Sequence, residues 1–248
     1  MSSNDNKVLF EDSKVTIHKN EITSSLVGKL SNEDIALSES LINDMRDKRN
    51  LLLDLITGKG CKNCQELNND YLLKCGNKPI PYGNTSSDVV FVKRVPSVLE
   101  CACMLSHSDT AGHFLMLIIK KMGFNPDDFY YTDFIKCPNQ NITVDACWNC
   151  VVNYFLKEIH YIKPKAIVFE GLAIVKTLSQ EKILLNLPDA LEYGIVYDSF
   201  FINENFPVKI VGIYDLDMVL QKEGDDLQQC KNVLWLNVQN IIKLVKQL

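Results

Sequence analysis

The stretch Tyr154–Gly171 reads YFLKEIHYIKPKAIVFEG. Its first part continues a pattern in which apolar residues such as Phe155 and Ile159 recur at helical spacing, and this pattern predicts a helix over Val144–Ile162. The later run Ala166–Phe169 is short and wholly apolar, which predicts a buried strand. A helix that leads into a buried strand is typical of a parallel sheet whose crossovers are helical.

Strands and helices alternate on both sides of this stretch. Further strands are predicted at Val89–Lys93, Tyr130–Ile135, Ile195–Ile202 and Val208–Tyr214. Further helices are predicted at Ala111–Met122, at Leu172–Leu178 and at the C-terminus. The alternation predicts an α/β fold with three layers, α/β/α, around a mostly parallel central sheet. Ligands of such folds bind beyond the carboxyl ends of the strands.

The N-terminal part of the chain has a different pattern. Ser31 is a suitable helix cap, and the apolar residues that follow it recur at helical spacing until the glycines at Gly58 and Gly60. The sequence therefore predicts two regions: an extension with a long helix over 1–56, and an α/β domain over 57–248.

Composition narrows the class of protein. The chain has 248 residues, 46% of them hydrophobic, and a net charge of −5. It contains no apolar run of about 18 residues, the length that a membrane span needs, and Met1–Lys7 is polar rather than signal-like. We expect an intracellular protein of the cytoplasm or nucleoplasm that is not secreted. The acidic balance gives no support for tight non-specific DNA binding.

Nine cysteines occur in the chain, and in a reducing compartment they are better explained by a metal site than by disulfides. Cys61 and Cys64 form a C-x2-C pair, which zinc sites, clusters and redox dithiols share. Cys137 follows a predicted strand, and Cys147 and Cys150 lie in the next predicted helix. Four thiolates suit zinc or a [4Fe–4S] cluster equally well. The competing interpretation is that these cysteines are small buried apolar residues.

Three stretches together resemble the iron–sulfur uracil-DNA glycosylases of families 4 and 5. Tyr131–Cys137 reads YTDFIKC, which is similar to the family's T-N-x-x-K-C, and Tyr154–Gly171 is similar to Y-L-x-x-Q-I-x-x-I-x-P-K-x-I-V-x-x-G. Ala111-Gly112 opens a helix similar to the family's A-G-x-x-L. The resemblance covers about Gly60–Tyr214 and implies a uracil-DNA glycosylase-like fold that acts on DNA.

The resemblance also implies a ligand set and a cofactor. The ligands are Cys61, Cys64, Cys137 and Cys150, and they hold a [4Fe–4S] cluster, with zinc as the alternative. The interval between Cys137 and Cys150 is shorter than is usual in the family, so Cys147 is an alternative fourth ligand.

The catalytic motifs depart from the family pattern. Where the family has G-E-A-P-G after a strand, this chain has Lys93–Ser97, in which Pro96 is kept and the acid and glycines are lost. Glu100 matches a second acid sometimes found a few residues further on. His107 occupies the place of a phenylalanine that stacks on the base, and an exposed loop histidine is the other interpretation of it.

Two aspartates occupy places where the family uses other side chains. Asp133 stands where an asparagine reads uracil, and an ionised carboxylate accepts hydrogen bonds but donates none. Asp215 stands where the histidine of H-P-S stabilises the departing uracil. A negative group there opposes the developing charge, and such a loss typically costs about 10²–10³ in rate.

These departures lead to two hypotheses. The first is a divergent uracil-DNA glycosylase-like protein with reduced or lost base excision. It binds nucleic acid, or a replication or transcription partner, through the old cleft or through the added N-terminal helix. The alternative is an active DNA glycosylase that hydrolyses the N-glycosidic bond of uracil or another damaged base, with Glu100 or Asp133 assisting the water. In both, the predicted site is Pro96, Glu100, His107, Asp133 and Asp215. A zinc protein of unrelated function is a third possibility.

Overall fold

The computed structural model describes residues 78–121, 123–138, 148–201 and 206–245. All of them belong to one compact unit, Arg46–Leu248. The predicted extension over 1–56 and the cysteines Cys61, Cys64 and Cys147 lie outside the described residues. The predictions made for them are therefore untested.

Seven strands form one sheet in the described part of the chain, in the order β1-β3-β2-β4-β7-β6-β5. Their bounds are β1 Tyr82–Gly83, β2 Val89–Lys93, β3 Tyr130–Asp133, β4 Ala166–Glu170, β5 Leu184–Leu185, β6 Val196–Phe201 and β7 Phe206–Ile213. The four central strands, β3-β2-β4-β7, are parallel. The strands at both edges are antiparallel to their neighbours.

Helices lie between β2 and β3, between β3 and β4, and after β4 and β7. Their bounds are α1 Val98–Cys103, α2 Thr110–Lys121, α3 Leu156–Ile162, α4 Leu172–Gln180, α5 Leu216–Leu220 and α6 Gly224–Val245. A π-helical turn, Val151–Phe155, leads directly into α3. The helix predicted over Val144–Ile162 is therefore helical from residue 148 onward, and its first residues lie outside the described ranges.

Alternate residues of the central strands pack on opposite faces of the sheet, as a strand period of two requires. On one face, Val90 and Ile167 pack with Phe155 of the π-helical turn and other helical residues. On the other face, Phe91 and Val168 pack with residues of α2 and α6. Two cores with the sheet between them make the three layers that the sequence predicts.

A helix that spans a membrane must be both long and apolar. Among the described helices, none combines the length and the apolar character that a membrane crossing requires.

Candidate active site

The carboxyl ends of the parallel strands carry the polar residues of the predicted site. Strands β2, β3 and β4 are buried along their whole length, and they end on Lys93, Asp133 and Glu170. Lys93 and Asp133 are direct neighbours in the register of β2 and β3. Burying a charged side chain is costly unless it is paired. The partners of these three residues therefore define the chemistry of the site.

Lys93 is 4% exposed, and its ammonium contacts three carboxylates. Nζ lies 3.2 Å from Glu100 Oε2, 2.5 Å from Asp109 Oδ2 and 3.1 Å from Asp217 Oδ2. Burial alone would lower the pKa of Lys93, but the charges of Glu100, Asp109 and Asp217 outweigh burial and raise that pKa. Lys93 is a fixed cation that neutralises part of an acidic cluster, which we call the Lys93 network: Lys93, Glu100, Asp109 and Asp217.

Glu100 is held by the start of α1. Ser97 and Glu100 form a capping box, in which Glu100 N donates to Ser97 Oγ and Ser97 N donates to Glu100 Oε2. The backbone N–H of His107 donates to Glu100 Oε1. Both oxygens of this fully buried carboxylate are thus occupied by protein groups. Because Glu100 is also 0% exposed, neither oxygen of the predicted catalytic acid faces solvent.

Asp133 lies beside this network. Its Oδ2 accepts a hydrogen bond of 2.6 Å from Ser106 Oγ, and its Oδ1 has no hydrogen-bond partner among the described residues. Burial and the charge of Glu100 raise the pKa of Asp133 to about 7. With this pKa, about half of the Asp133 carboxyls carry a proton at neutral pH, whereas the sequence reasoning considered only the ionised form.

His107 is fully buried, so the interpretation as an exposed loop histidine is wrong. Its Nε2 lies 3.1 Å from Glu170 Oε1, and its ring centroid lies 5.3 Å from that of Tyr131. Its backbone is left-handed, with φ of 59°. Burial alone would lower the pKa of His107, but the hydrogen bond and charge of Glu170 raise it overall.

Gly112 lies directly against the backbone of His107. A Cβ placed on Gly112 would lie 2.0 Å from the carbonyl oxygen of His107. Only a residue without a side chain permits this approach. The glycine of the predicted A-G helix therefore fixes the backbone that presents His107 to Glu170.

The other two predicted pocket residues lie near the same edge. Pro96 is buried in the loop between β2 and α1. Asp215 is half-buried and caps α5, where its Oδ1 accepts from the N–H of Met218. The contact to Lys93 comes from Asp217, two residues further on. Asp215 thus acts as a helix cap in this arrangement.

A second buried ion pair lies behind the site. Lys136 Nζ lies 2.8 Å from Glu158 Oε2 and 2.5 Å from Thr132 Oγ1. Thr132 Oγ1 also donates to the same Glu158 oxygen. This pair joins the end of β3 to α3 and fixes the segment that runs from Asp133 to Cys137.

Cys137 and Cys150 are the two predicted ligands within the described residues. Cys137 is half-buried, and Cys150 is buried. The Sγ of Cys150 accepts a hydrogen bond of 3.2 Å from the backbone N–H of Lys136. Cys150 therefore lies beside the residue that precedes Cys137. Within the described ranges, no group of three or more His, Cys, Asp or Glu side chains is placed so that it could hold a metal ion.

Sequence reasoning missed several residues of the site: Lys93 as a buried cation, and Ser106, Asp109, Glu170 and Asp217. One signal was available for two of them. Lys93 and Glu170 are single charged residues that end otherwise apolar runs, VVFV and AIVF. A charge in that position lies at the carboxyl edge of a buried sheet and needs a partner. No comparable local signal marks Asp109 or Asp217.

The fold and the site define a three-layer α/β protein with an acidic, buried polar site at the carboxyl ends of its parallel strands. Residues 80–239 match the family model of the uracil DNA glycosylase superfamily. The match covers more than half of the chain, and the chain belongs to that superfamily. A search of curated proteins finds no significant match.

Proposed function

We propose that this chain is a divergent member of the superfamily with reduced or lost base excision, which acts by binding nucleic acid or a protein partner. One observation carries the proposal. Glu100, His107 and Asp133 are each 0% exposed, so none of the three side chains is in contact with solvent. Base excision needs the base to be held in a pocket out of the stack, and these side chains are not presented to a base that arrives from solvent.

The Lys93 network holds Glu100 in its buried position. Where the family has small glycines after the first strand, this chain has a lysine whose ammonium bonds to three carboxylates. By the resemblance, Asp215 stands where the family has the histidine that stabilises departing uracil. Negative charge at that position opposes the charge that develops on the leaving base. Geometry and electrostatics both disfavour excision.

We expect the purified protein to release no free uracil from single- or double-stranded uracil-containing oligonucleotides above a protein-free control. Alkali cleavage of abasic sites is the measurement, with an active uracil-DNA glycosylase as the positive control. The variant Asp133→Asn/Asp215→His should also stay inactive, because Lys93 still fills the site. Uracil release by the wild-type protein, lost in Glu100→Gln, would contradict the proposal.

An active glycosylase is the second candidate, and one observation favours it. Because the pKa of Asp133 is raised to about 7, its carboxyl is neutral below that pH and offers one donor and one acceptor, as an amide does. A neutral carboxyl matches the donor and acceptor on uracil better than a carboxylate. Under this alternative, uracil release by Asp133→Asn exceeds that of the wild-type protein above pH 7.

We further propose that Cys61, Cys64, Cys137 and Cys150 hold a [4Fe–4S] cluster, with zinc as the alternative metal and Cys147 as the alternative fourth ligand. The position of Cys150 beside Lys136 and Cys137 supports this set. Backbone N–H groups that donate to cysteine sulfur are a common feature around iron–sulfur clusters. Such a cluster, when bound, would tie the N-terminal loop to the helix that contains Cys150. A cluster held by reduced thiolates is compatible with the cytoplasm or nucleoplasm, where we expect the protein to be.

Anaerobic purification should give a brown protein that contains iron. We expect Cys137→Ala and Cys150→Ala to lose most of the iron and the thiolate-to-iron absorbance, whereas Cys103→Ala, an exposed cysteine on α1, retains both. A colourless wild-type protein with one equivalent of zinc would replace the cluster by the zinc alternative. Full iron content in Cys150→Ala would instead point to Cys147.

A further inference from the structure

A cavity of about 420 Å³ is lined by residues of β1, of α2 and of the segment that leads into β3. Its volume lies in the range of about 300–1,000 Å³ that is usual for small-molecule sites. That segment includes a 3-10 turn, Pro126–Asp128, and it approaches the amino end of β3. The Lys93 network lies at the carboxyl ends of the strands and shares no residue with this lining. The cavity is therefore separate from the candidate active site.

One wall of the cavity is a tyrosine that belongs to a stack of three aromatic rings. Tyr131 is fully buried and stacks on Phe91 and on Tyr82, with ring centroids 5.5 Å and 5.7 Å away. Tyr82 is the outermost of the three rings, because β1 is the edge strand of the described sheet, and it lines the cavity. Its hydroxyl donates to the carboxylate of Asp127, which fixes the ring. The flat ring of a ligand can pack on such an aromatic surface.

Apolar side chains add to this surface. Met116 and Leu117 of α2 line the cavity together with Pro126. Leu117 is 65% exposed, more than any other large apolar side chain of the described residues. The hydroxyl of Tyr131 donates to the carbonyl oxygen of Pro126 over 3.0 Å, which ties the turn to the buried stack. A concave, preformed and largely apolar lining is typical of a small-molecule site.

The polar groups of the lining are of two kinds: acceptors that are in use and donors that are not. Asn125 Oδ1 accepts from the N–H of Asp127, and Asp127 Oδ1 accepts from Tyr82. The side chains of His113 and Lys120, both on α2, make no hydrogen bond or ion pair with any described residue. A ligand that satisfies these donors must supply acceptors, and an ammonium favours acceptors that carry negative charge. The charge of Asp127 lies on the turn, so an anionic group belongs on the α2 side.

We propose that this cavity binds a small anion that carries a flat aromatic ring, such as a nucleoside monophosphate or an aromatic carboxylate. The ring packs on Tyr82 and Met116, and the phosphate or carboxylate accepts hydrogen bonds from Lys120 and His113. The proposal does not rest on the proposed function, because the cavity and the Lys93 network have no residue in common.

The test uses the full chain and isothermal titration calorimetry. Adenosine monophosphate and 2-naphthoate are the probes, since one carries a phosphate and the other a carboxylate on an aromatic group. Adenosine has the ring without the charge, and inorganic phosphate has the charge without the ring. We expect at least one probe to bind, and adenosine and inorganic phosphate to bind about tenfold or more weakly than that probe. The probe that binds identifies which kind of anion the site accepts.

Variants place the binding in this cavity. His113→Ala/Lys120→Ala should weaken binding of the probe about tenfold or more and reduce its salt dependence, because the donors to the anion are lost. Tyr82→Ala should also weaken binding, whereas Tyr82→Phe keeps the ring and should retain most of the affinity. Lys176→Ala is the matched control, since Lys176 is an exposed lysine on α4 outside the lining. It should leave the affinity unchanged.

The double variant keeps the test decisive even if Tyr82→Ala fails to fold, because His113 and Lys120 are exposed. Thermal melts check that it folds. Three results would overturn the proposal: neither probe binds, adenosine and inorganic phosphate bind as tightly as the probes, or the folded double variant keeps the affinity of the wild-type protein. Release of uracil would remove the proposed function and leave this inference standing.

Discussion

Replacing Lys93 with methionine is expected to lower the free energy of unfolding at pH 7 by about 3–5 kcal/mol. The substitution removes the cation and leaves the carboxylate of Glu100 buried, with Asp109 beside it. A buried charge that loses its partner keeps its desolvation penalty and loses the attraction that offset it. Urea unfolding followed by circular dichroism is the measurement.

Two further variants make this result specific. Lys209→Met removes a lysine from an exposed pair with Asp198, and exposed pairs contribute little to stability, so it should change the unfolding free energy only slightly. Lys93→Met/Glu100→Gln should recover part of the loss, because it also removes the unpaired charge. If Lys93→Met were as stable as Lys209→Met, the Lys93 network would not contribute the expected free energy of unfolding.

Replacing Asp133 with asparagine is expected to raise the free energy of unfolding at pH 8 by up to about 4 kcal/mol, with little effect near pH 4. The pKa of Asp133 is raised from 3.8 to about 7 by burial and by Glu100. Between these two values the folded protein binds a proton that the unfolded chain releases. The stability that this proton contributes is complete below pH 4 and is lost as pH rises to 7. Asparagine does not titrate and avoids the loss.

The measurement is the difference in unfolding free energy between the two proteins at several pH values from 4 to 8. The raised pKa of His107 acts in the same direction, and the charge of Asp133 is one of the causes that raise it. The difference therefore reports Asp133 together with its interaction with His107. Asp198→Asn, at an exposed carboxylate, should show no such trend. A difference that stays constant with pH would mean that Asp133 is ionised throughout.

The elements of the fold were predictable because their signals are local. The apolar run Val89–Lys93 is β2 with the bounds that the sequence predicts, and the run at Ala166 is β4 extended by one residue. The short edge strands β1 and β5 were not predicted, since each has two residues and exists only through pairing with a distant strand. Strand order likewise depends on non-local contacts.

The sequence by itself determined the α/β class, the carboxyl edge as the place of the site, and Glu100, His107 and Asp133 as residues of that edge. Tertiary structure alone decided that these residues are closed off from solvent. The reason is that Lys93 meets carboxylates from α1, from the residue before α2 and from α5. The positions of these three carboxylates in the chain have no common period. Only the packing of the helices brings them to one nitrogen, and a buried network forms where a pocket was expected.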